Sequence, residues 1–188
     1  REVKEYLHTC FSMLNIEVAG YLVAPLLLSQ CALTDTEKRL GCAMVDFGAS
    51  ITTVVVYRKS LLRYIGVVPL GADNITQDIC SLAIEEAEAE DLKKKYCTAL
   101  SEFDENAPTK NLLLNASRSI DERELMEIVE AREWEILNNV SERIEQSGYN
   151  DLMSQGIVAT GGGAQMRAMD KAISECLKIS KIRMLKQI

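Results

Sequence analysis

One acid stands directly before a glycine turn, between two apolar runs that are typical of buried strands. The stretch is CAMVDFGASITTVVVY, residues 42–57, in which Asp46 precedes a turn at Gly48 to Ser50. A carboxylate in this place can hold a hydrated Mg²⁺ while the bare backbone approaches a phosphate. Aspartate also braces turns through its own hydrogen bonds, and the spacing alone favours that structural role. The apolar runs predict strands in the middle of a sheet.

A second candidate site is a run of three glycines between a predicted strand and a predicted helix. Gly161, Gly162 and Gly163 follow the apolar residues 156–160 and precede a helical pattern that carries Met169. Bare backbone at the N-terminus of a helix suits an anion or a nucleotide. The same residues also fit an ordinary tight connection between a strand and a helix.

The composition excludes several other classes of protein. The net charge of −7 comes from scattered acids and bases, whereas a nucleic-acid surface needs a concentrated basic face. The single histidine, His8, leaves no histidine-based metal cluster and no Ser/His/Asp triad. No apolar run is long enough to cross a membrane. Six cysteines lie far apart without CxxC pairing, which predicts reduced thiols: Cys10, Cys31, Cys42, Cys80, Cys97 and Cys176.

The elements that must position the first candidate site lie in the first seventy residues. Residues 1–14 have the spacing of an amphipathic helix, residues 21–24 predict a short strand, and Pro25 opens a second apolar helix. Residues 34–41 are polar and predict a connector. After the two strands of the glycine turn, residues 61–70 supply a third, which makes an antiparallel meander.

Helical patterns fill most of the second half. Asp73 is the predicted N-cap of one helix, and residues 85–96 form another with acids at its start and lysines at its end. Residues 98–119 predict a variable loop that can include one strand, around the short apolar run at residues 112–114. Asp121 begins a long helix that Gly148 ends.

The two ends of the chain predict a segment of a longer protein. Arg1 stands inside a helical pattern, with no start methionine and no signal-peptide pattern before it. Residues 181–186 alternate as a strand does and stop without a cap. We therefore expect further chain on both sides.

Four motifs, in this order and at these distances, resemble the actin-like ATPases. They are VDFGASITTVVVY at residues 45–57, PLGADNITQDI at 69–79, AEDLKKKYC at 89–97 and GIVATGGGAQM at 156–166. Within that superfamily they are most similar to the FtsA family of bacterial cell-division proteins. The likeness extends over about residues 15–184.

The resemblance implies an α/β fold of the actin-like, ribonuclease-H-like type, with a mixed sheet flanked by helices and a small α+β subdomain. In that fold two lobes close on a nucleotide. Residues 1–41 would complete lobe one and cross to lobe two. Residues 42–70 and 134–188 would form the nucleotide-binding core subdomain, and residues 71–133 the small inserted subdomain.

The resemblance also implies a site for ATP or ADP with Mg²⁺. Asp46 would hold Mg²⁺ through water, and no residue is assigned a catalytic role. Glu90 and Lys93, three apart on one helical face, would meet the ribose and the adenine. The glycines at 161–163 would lie under the adenosine and the α-phosphate. The phosphate hairpin would comprise Gly48, Ala49, Ser50 and Thr52. Because the family's first phosphate loop lies upstream, we expect no tight nucleotide binding by residues 1–188 alone.

The glycine turn departs from the family pattern GGGTTD. Ala49 and Ser50 replace glycines, Ile51 replaces a hydroxyl and Thr53 replaces the acid. A side chain in a left-handed conformation costs about 1 kcal/mol, and a Cβ obstructs approach to a phosphate. We therefore predict weak nucleotide binding and at most weak ATPase activity. Four more family positions are expected to matter for packing: Cys97 and Ala168, which replace glycines, and Arg132 and Glu135 on the long helix.

The resemblance implies partners as well. Proteins of this family assemble into filaments, bind the C-terminal tail of the tubulin-like FtsZ through the small subdomain, and reach the cytoplasmic face of the inner membrane through a C-terminal amphipathic helix. Arg118 and Arg123 are the candidates for contact with an acidic peptide. They are equally well explained as surface charges paired with neighbouring acids.

Three other classes stay open. One is an enzyme of the same fold, such as a sugar or acetate kinase, although Asp46 is the one candidate for its catalytic acid. Another is a pilus-assembly or chaperone-like scaffold, which would differ between residues 71 and 133. The last is an α/β domain without a nucleotide role, which the loss of the GGGTTD pattern keeps possible.

Overall fold

The computed structural model describes residues 2–101, 110–115 and 118–185, and at residues 113–115 and 118 it describes the backbone only. The helices are α1 (Glu2–Met13), α2 (Ala24–Ala32), α3 (Asp35–Leu40), α4 (Ala72–Cys80), α5 (Glu86–Tyr96), α6 (Glu122–Gln146) and α7 (Met169–Leu177). The strands are β1 (Cys42–Phe47), β2 (Thr52–Arg58), β3 (Leu61–Val68), β4 (Asn111–Asn115), β5 (Arg118–Asp121), β6 (Ile157–Thr160) and β7 (Ile182–Met184). Short 3-10 turns lie at Asn150–Leu152 and Gly163–Gln165.

A mixed five-stranded sheet forms the centre of the fold, in the order β3-β2-β1-β6-β7. β1 pairs antiparallel with β2 and parallel with β6. The predicted antiparallel meander of β1, β2 and β3 is confirmed, and the apolar runs around the glycine turn do lie mid-sheet. Alternating residues of β1 and β2 are buried against both faces, which is why their sequences are almost continuously apolar.

Both faces of the sheet are covered. On one face α6 and α7 pack against β1, β2 and β6 through residues such as Val45, Ile136 and Ile173. On the other face Met44 and Val158 pack beneath Leu33, which directly follows α2. Sheet and helices therefore form the layers of an α/β domain.

A separate, smaller core lies beside the sheet. It joins α4, α5 and the first turns of α6 through residues such as Ile75, Leu92 and Val129, and the antiparallel hairpin of β4 and β5 contributes Ile120. α6 passes from this small core to the main core, which begins at Ile136. The division of the chain at residues 41, 70 and 133 stays a prediction.

Three predictions about local structure are wrong, and a fourth is incomplete. Residues 21–24 are not a strand, because α2 begins at Ala24. The polar residues 34–41 contain α3, whose start is closed by a capping box in which Thr34 and Glu37 bind each other's backbone N–H. Gly71, not Asp73, is the N-cap of α4, and its N–H donates to Asn74 Oδ1 at 2.9 Å. Residues 98–119 include one strand and the first part of another, although residues 102–109, 116 and 117 lie outside the described part.

Two expectations from composition hold in the structure. All six cysteines are free thiols. Among the described residues, every helix falls short of the length and apolarity that a membrane-spanning segment needs.

Candidate functional site

The two glycine turns face the same cavity. It has a volume of about 300 Å³ and lies between the sheet and the small core. Ala49 lines it on one side, and Gly162 and Gly163 line it on another. The remaining lining residues come from α4, α5 and the segment after the glycine run: Ala72, Asp73, Glu90, Lys93, Lys94, Cys97, Gln165, Met166 and Arg167.

The first wall of the cavity is the turn between β1 and β2, which is held against the N-terminus of α4. The carbonyl of Gly48 accepts from Ala72 N–H at 3.0 Å, and that of Ala49 accepts from Asp73 N–H at 2.8 Å. These are N–H groups that the helix itself leaves unsatisfied. Gly71 permits the close approach, since a Cβ there would lie 2.3 Å from the oxygen of Ala49.

The second wall is the glycine run after β6, and its three members differ. Gly161 has φ +94°, and a Cβ on it would lie 2.4 Å from the oxygen of Phe47. A Cβ on Gly163 would lie 3.0 Å from Cβ of Phe47, whereas one on Gly162 would meet nothing within 4 Å. Gly161 is therefore required by its backbone conformation and by packing. At Gly163 a side chain would be tight against Phe47, and Gly162 leaves open space.

Asp46 lies at the end of β1, between these two walls. Its neighbours across the strands are Thr53 on β2 and Thr160 on β6. The carboxyl group is half-buried, and burial raises its pKa above the usual value. Among the described residues it has no hydrogen-bond or ion-pair partner, and none of them form a cluster of three metal-ligating side chains. The arrangement fits one acid that holds a hydrated cation through water, and it does not fit a direct all-protein metal site.

Glu90 and Lys93 lie together on α5 beside the cavity. The Lys93 ammonium is almost fully buried and donates to Ala72 O at 2.9 Å and to Thr76 Oγ1 at 2.7 Å, and it pairs with Glu90 Oε2 at 2.6 Å. Burial alone would raise the pKa of Glu90, but hydrogen bonds from Lys93, Thr76 and Lys94 outweigh it and lower the pKa to about 2. The pair is thus fixed in position, and the Glu90 carboxylate is ionised at the cavity wall.

Two other residues of the predicted hairpin are used structurally. The Thr52 hydroxyl is buried and donates to Leu70 O at 2.9 Å, so it does not line the cavity. The Ser50 hydroxyl donates to Asp73 Oδ2 at 3.0 Å. The expected backbone strain is absent, because neither Ala49 nor Ser50 has a positive φ. Only the volume of the Ala49 side chain remains as a departure from glycine at the cavity.

Sequence reasoning missed several lining residues. Cys97 is buried in the small core, and burial raises the pKa of its thiol to about 12, which disfavours the reactive thiolate. Arg167 reaches α5 across a distance of about seventy residues in sequence, which no local pattern signals. Thr76, which does not line the cavity but binds both Glu90 and Lys93, had a signal, since it lies one helical turn after Ala72 within the second motif.

Glu133 on α6 is buried and lies between the two cores. Only 1% of the residue is exposed, and Oε2 has no hydrogen-bond partner in the part of the chain that the structure describes. Burial raises the pKa of its carboxyl group to about 7, although the nearby Lys93 ammonium lowers it in part. Its spacing from Val129 and Ile136 placed it on the buried stripe of the helix, a signal that the polar neighbours Arg132 and Glu135 obscured.

Arg132 and Glu135 are engaged in ion pairs on the outside of α6. Arg132 binds both oxygens of Asp78, at 2.6 and 3.0 Å, and also binds Glu135. They connect α6 to α4, away from the cavity.

Of the two arginines proposed for a partner, Arg123 is half-buried at the start of α6, where its backbone N–H donates to the side chain of the N-cap Asp121. The side chain of Arg118 lies outside the described residues.

The fold and the cavity between the glycine turns define an actin-like protein, and comparison with solved structures shows this fold. MreB5 of Spiroplasma citri bound to ADP superposes with a TM-score of 0.77 and 17% identity, over 97% of this chain and 60% of that one. The PilM-PilN type IV pilus biogenesis complex gives a TM-score of 0.65 and 16% identity, over 91% of this chain and 44% of that one.

Sequence comparison narrows the class to one family. The profile of the family described as "Cell division protein FtsA" matches residues 43–187. The FtsA of Porphyromonas gingivalis is 32% identical over 98% of this chain and 40% of the relative, and that of Bacillus subtilis is 37% identical over 84% and 36%. The chain belongs to the FtsA family of cell-division proteins, which favours this class over a kinase or a pilus scaffold. It spans about two fifths of the length of these relatives.

Proposed function

We propose that the chain is the nucleotide-binding part of a cell-division protein that binds ATP or ADP with Mg²⁺. The observation that carries this proposal is the cavity shared by Ala49 and Gly162, which belong to two turns far apart in the sequence. A concave site with a small number of fixed polar groups, backbone groups among them, is the usual form of a small-ligand site. MreB5 of Spiroplasma citri, which has the same fold, was crystallised with ADP and with AMPPNP.

Different residues of the cavity bind different parts of the nucleotide. The phosphates lie against the β1–β2 turn and the open backbone at Gly162, and Asp46 holds Mg²⁺ through water. When bound, Mg²⁺ neutralises the phosphate oxygens. Glu90 accepts from the ribose, and the glycine run supports the adenosine. Lys93 fixes the Glu90 carboxylate, because its own ammonium already has three acceptors.

Weak nucleotide binding and at most slow hydrolysis belong to the same proposal. The Ala49 side chain stands where the motif of related proteins has bare backbone. Thr53 replaces an acid at the position directly opposite Asp46 on β2. A second carboxylate there would stand beside the first and help to order water or metal. Without this second carboxylate the site is less able to order the water or metal that hydrolysis needs.

Titration of the full-length protein with Mg-ATP tests the site. We expect a dissociation constant in the range of tens of micromolar or weaker, and at least tenfold weaker binding by Asp46→Asn. Asp151→Asn, which removes an exposed acid from a 3-10 turn, is the matched control and should bind as the wild type does. Micromolar affinity with rapid turnover would contradict the weak site, and unchanged binding by Asp46→Asn would remove its metal role.

The partners are proposed at the level of the family. The protein assembles into filaments, binds the acidic C-terminal tail of FtsZ through the small subdomain, and acts at the cytoplasmic face of the inner membrane at the division site. Membrane contact would come from a C-terminal amphipathic helix outside residues 1–188. Arg118 and Arg123, at the start of the hairpin strand β5 and of α6, would face the peptide.

Retention of an FtsZ tail peptide by the chain tests the partner site. Arg123→Glu should reduce retention about tenfold, since like charges oppose an acidic peptide. Arg143→Glu reverses the same charge at the other end of α6 and should retain the peptide. Equal retention by the two variants would discredit the site.

A further inference from the structure

The cavity opens between two units that are packed around different cores. α5 carries Glu90 and Lys93 and belongs to the small core, through Ala89 and Leu92. The glycine run and the residues after it belong to the main core, through Ala164 and Met169. The distance between α5 and residues 162–167 therefore sets the width of the proposed nucleotide site.

Arg167 connects these two units. It lines the cavity, and its guanidinium points to the C-terminus of α5. Nε donates to Cys97 O at 3.3 Å, and Nη2 donates to Lys95 O at 3.0 Å and to Tyr96 O. In the reverse direction, the Arg167 carbonyl accepts from Ala99 N–H at 2.8 Å. One residue thus holds both the end of the helix and the chain that leaves it.

The end of α5 needs such a partner. The last carbonyls of a helix have no N–H partner within it, and many helices solve this with a left-handed residue that turns the chain back. Here Cys97 continues in an extended conformation, with φ −71° and ψ 153°, so the backbone does not turn back over these carbonyls. A guanidinium supplies several donors in a fixed fork, and its positive charge suits the negative end of the helix dipole.

We propose that Arg167 is a positioning residue for the nucleotide site: by capping α5 from the other unit, it fixes the Glu90 side of the cavity at the distance that a nucleoside requires. The guanidinium acts on the helix and does not itself bind the phosphates. The inference rests on the proposed nucleotide function. It predicts that the nucleoside part of the ligand, and not the phosphate part, depends on Arg167.

The test compares two ligands in the full-length protein. Arg167→Ala should weaken Mg-ATP binding about tenfold while leaving the affinity for Mg-tripolyphosphate within about twofold, because the phosphate turn is anchored to α4 independently. Arg167→Lys should recover only part of the loss, since one ammonium cannot reproduce the fork. Arg143→Ala, which removes an arginine remote from the cavity, should bind both ligands normally. Equal weakening of the two ligands, or unchanged ATP binding, would overturn the proposal.

Hydrogen exchange separates this inference from the proposed function. In Arg167→Ala the amides in the last turn of α5 should exchange about tenfold faster than in the wild type, because the helix end opens locally. The amides in the middle of α6 should not change. This measurement needs no nucleotide. If the wild type binds no ATP, the proposed function fails. Unchanged exchange in the last turn of α5 would independently refute the capping role of Arg167.

Discussion

Asp46 lies directly beneath Gly161: a methyl group on Gly161 would come within 2.6 Å of Asp46 Oδ1. The parallel pairing of β1 and β6, which sets Asp46 opposite Thr160, brings the acid and the glycine run together. The half-buried carboxylate is therefore covered by backbone and not by a side chain. This contact joins the two candidate sites, which are more than one hundred residues apart in the sequence.

Alanine substitutions in the glycine run should separate folding from binding. Gly161→Ala should destabilise the protein by about 2 kcal/mol or more, since it combines a strained positive φ with a clash against Phe47 and Asp46. Gly162→Ala should change stability by less than about 0.5 kcal/mol. Its φ of −63° suits alanine, and its Cβ would enter open space.

The same pair should behave in the opposite way toward ligand. Gly162→Ala should weaken Mg-ATP binding about tenfold, because the added methyl group would line the cavity at the place proposed for the phosphates. Urea unfolding and calorimetric titration of both variants measure the two effects. A folded Gly162→Ala protein that binds ATP normally would argue against backbone contact at this position.

Ala168→Gly should stabilise the protein. Ala168 has φ 57° and ψ 18°, a left-handed conformation in which a side chain costs about 1 kcal/mol. Removing the Cβ relieves that cost, so the free energy of unfolding should rise by up to about 1 kcal/mol, less the entropy gained by the unfolded chain.

Ala131→Gly provides the matched control in the middle of α6. The same change in a regular helix should lower the free energy of unfolding by about 1 kcal/mol. Opposite signs for the two substitutions, measured by urea unfolding, would establish the strain at Ala168. A loss of stability at both positions would contradict it.

Glu133 should make stability fall as pH rises. In the folded protein burial raises the pKa of its carboxyl group from its ordinary value of 4.5 to about 7. Below pH 4.5 the group is protonated in both states, so burial costs little. Between pH 4.5 and 7 only the unfolded chain loses the proton, and the cost grows to roughly 3 kcal/mol. Above pH 7 this cost is constant, because the group is ionised in both states.

Glu133→Gln removes this titration. Its free energy of unfolding, relative to the wild type, should increase between pH 4.5 and 7 by roughly 3 kcal/mol and then level off. Glu142→Gln, at an exposed position of the same helix, should differ from the wild type by less than about 0.5 kcal/mol. Parallel curves for the wild type and Glu133→Gln would show that Glu133 does not titrate in this range.

Strands and long helices were predictable because their signals are local. The apolar runs at residues 42–57 and the N-cap at Asp121 each determine structure within a few residues. The cavity between the glycine turns was predictable in outline, since the ordered motifs resemble a family in which these two turns meet. α3 was missed because six residues are too few for a clear periodic pattern, and its capping box lies in a polar run.

The contacts of single side chains were not predictable. Lys93 was expected at the adenine. Its buried ammonium instead donates hydrogen bonds to Ala72 and Thr76, which belong to another helix. Arg167 caps a helix that ends seventy residues earlier in the sequence. Such contacts depend on the relative placement of packed elements, which a one-dimensional pattern does not contain.

The ion pair between Arg183 on β7 and Glu37 on α3 should stabilise the fold in a pH-dependent way. Arg183 binds Glu37 at 2.7 Å and 2.8 Å and also donates to Ala32 O. Burial raises the pKa of Glu37, but the bonds from Arg183 and Thr34 prevail and lower it below 4.5. The stabilisation is therefore present above pH 4.5 and is lost as pH falls through the lowered pKa.

Arg183→Ala should lower the free energy of unfolding by about 2 kcal/mol at pH 7, because it leaves the mostly buried Glu37 carboxylate without its charged partner. At an acid pH below the lowered pKa of Glu37, where that stabilisation is lost, the difference from the wild type should be smaller. Lys95→Ala breaks an exposed pair with Asp91 and should cost less than about 0.5 kcal/mol at either pH. Urea unfolding at both values checks this, and a pH-independent loss in Arg183→Ala would mean that packing, and not charge, is what Arg183 contributes.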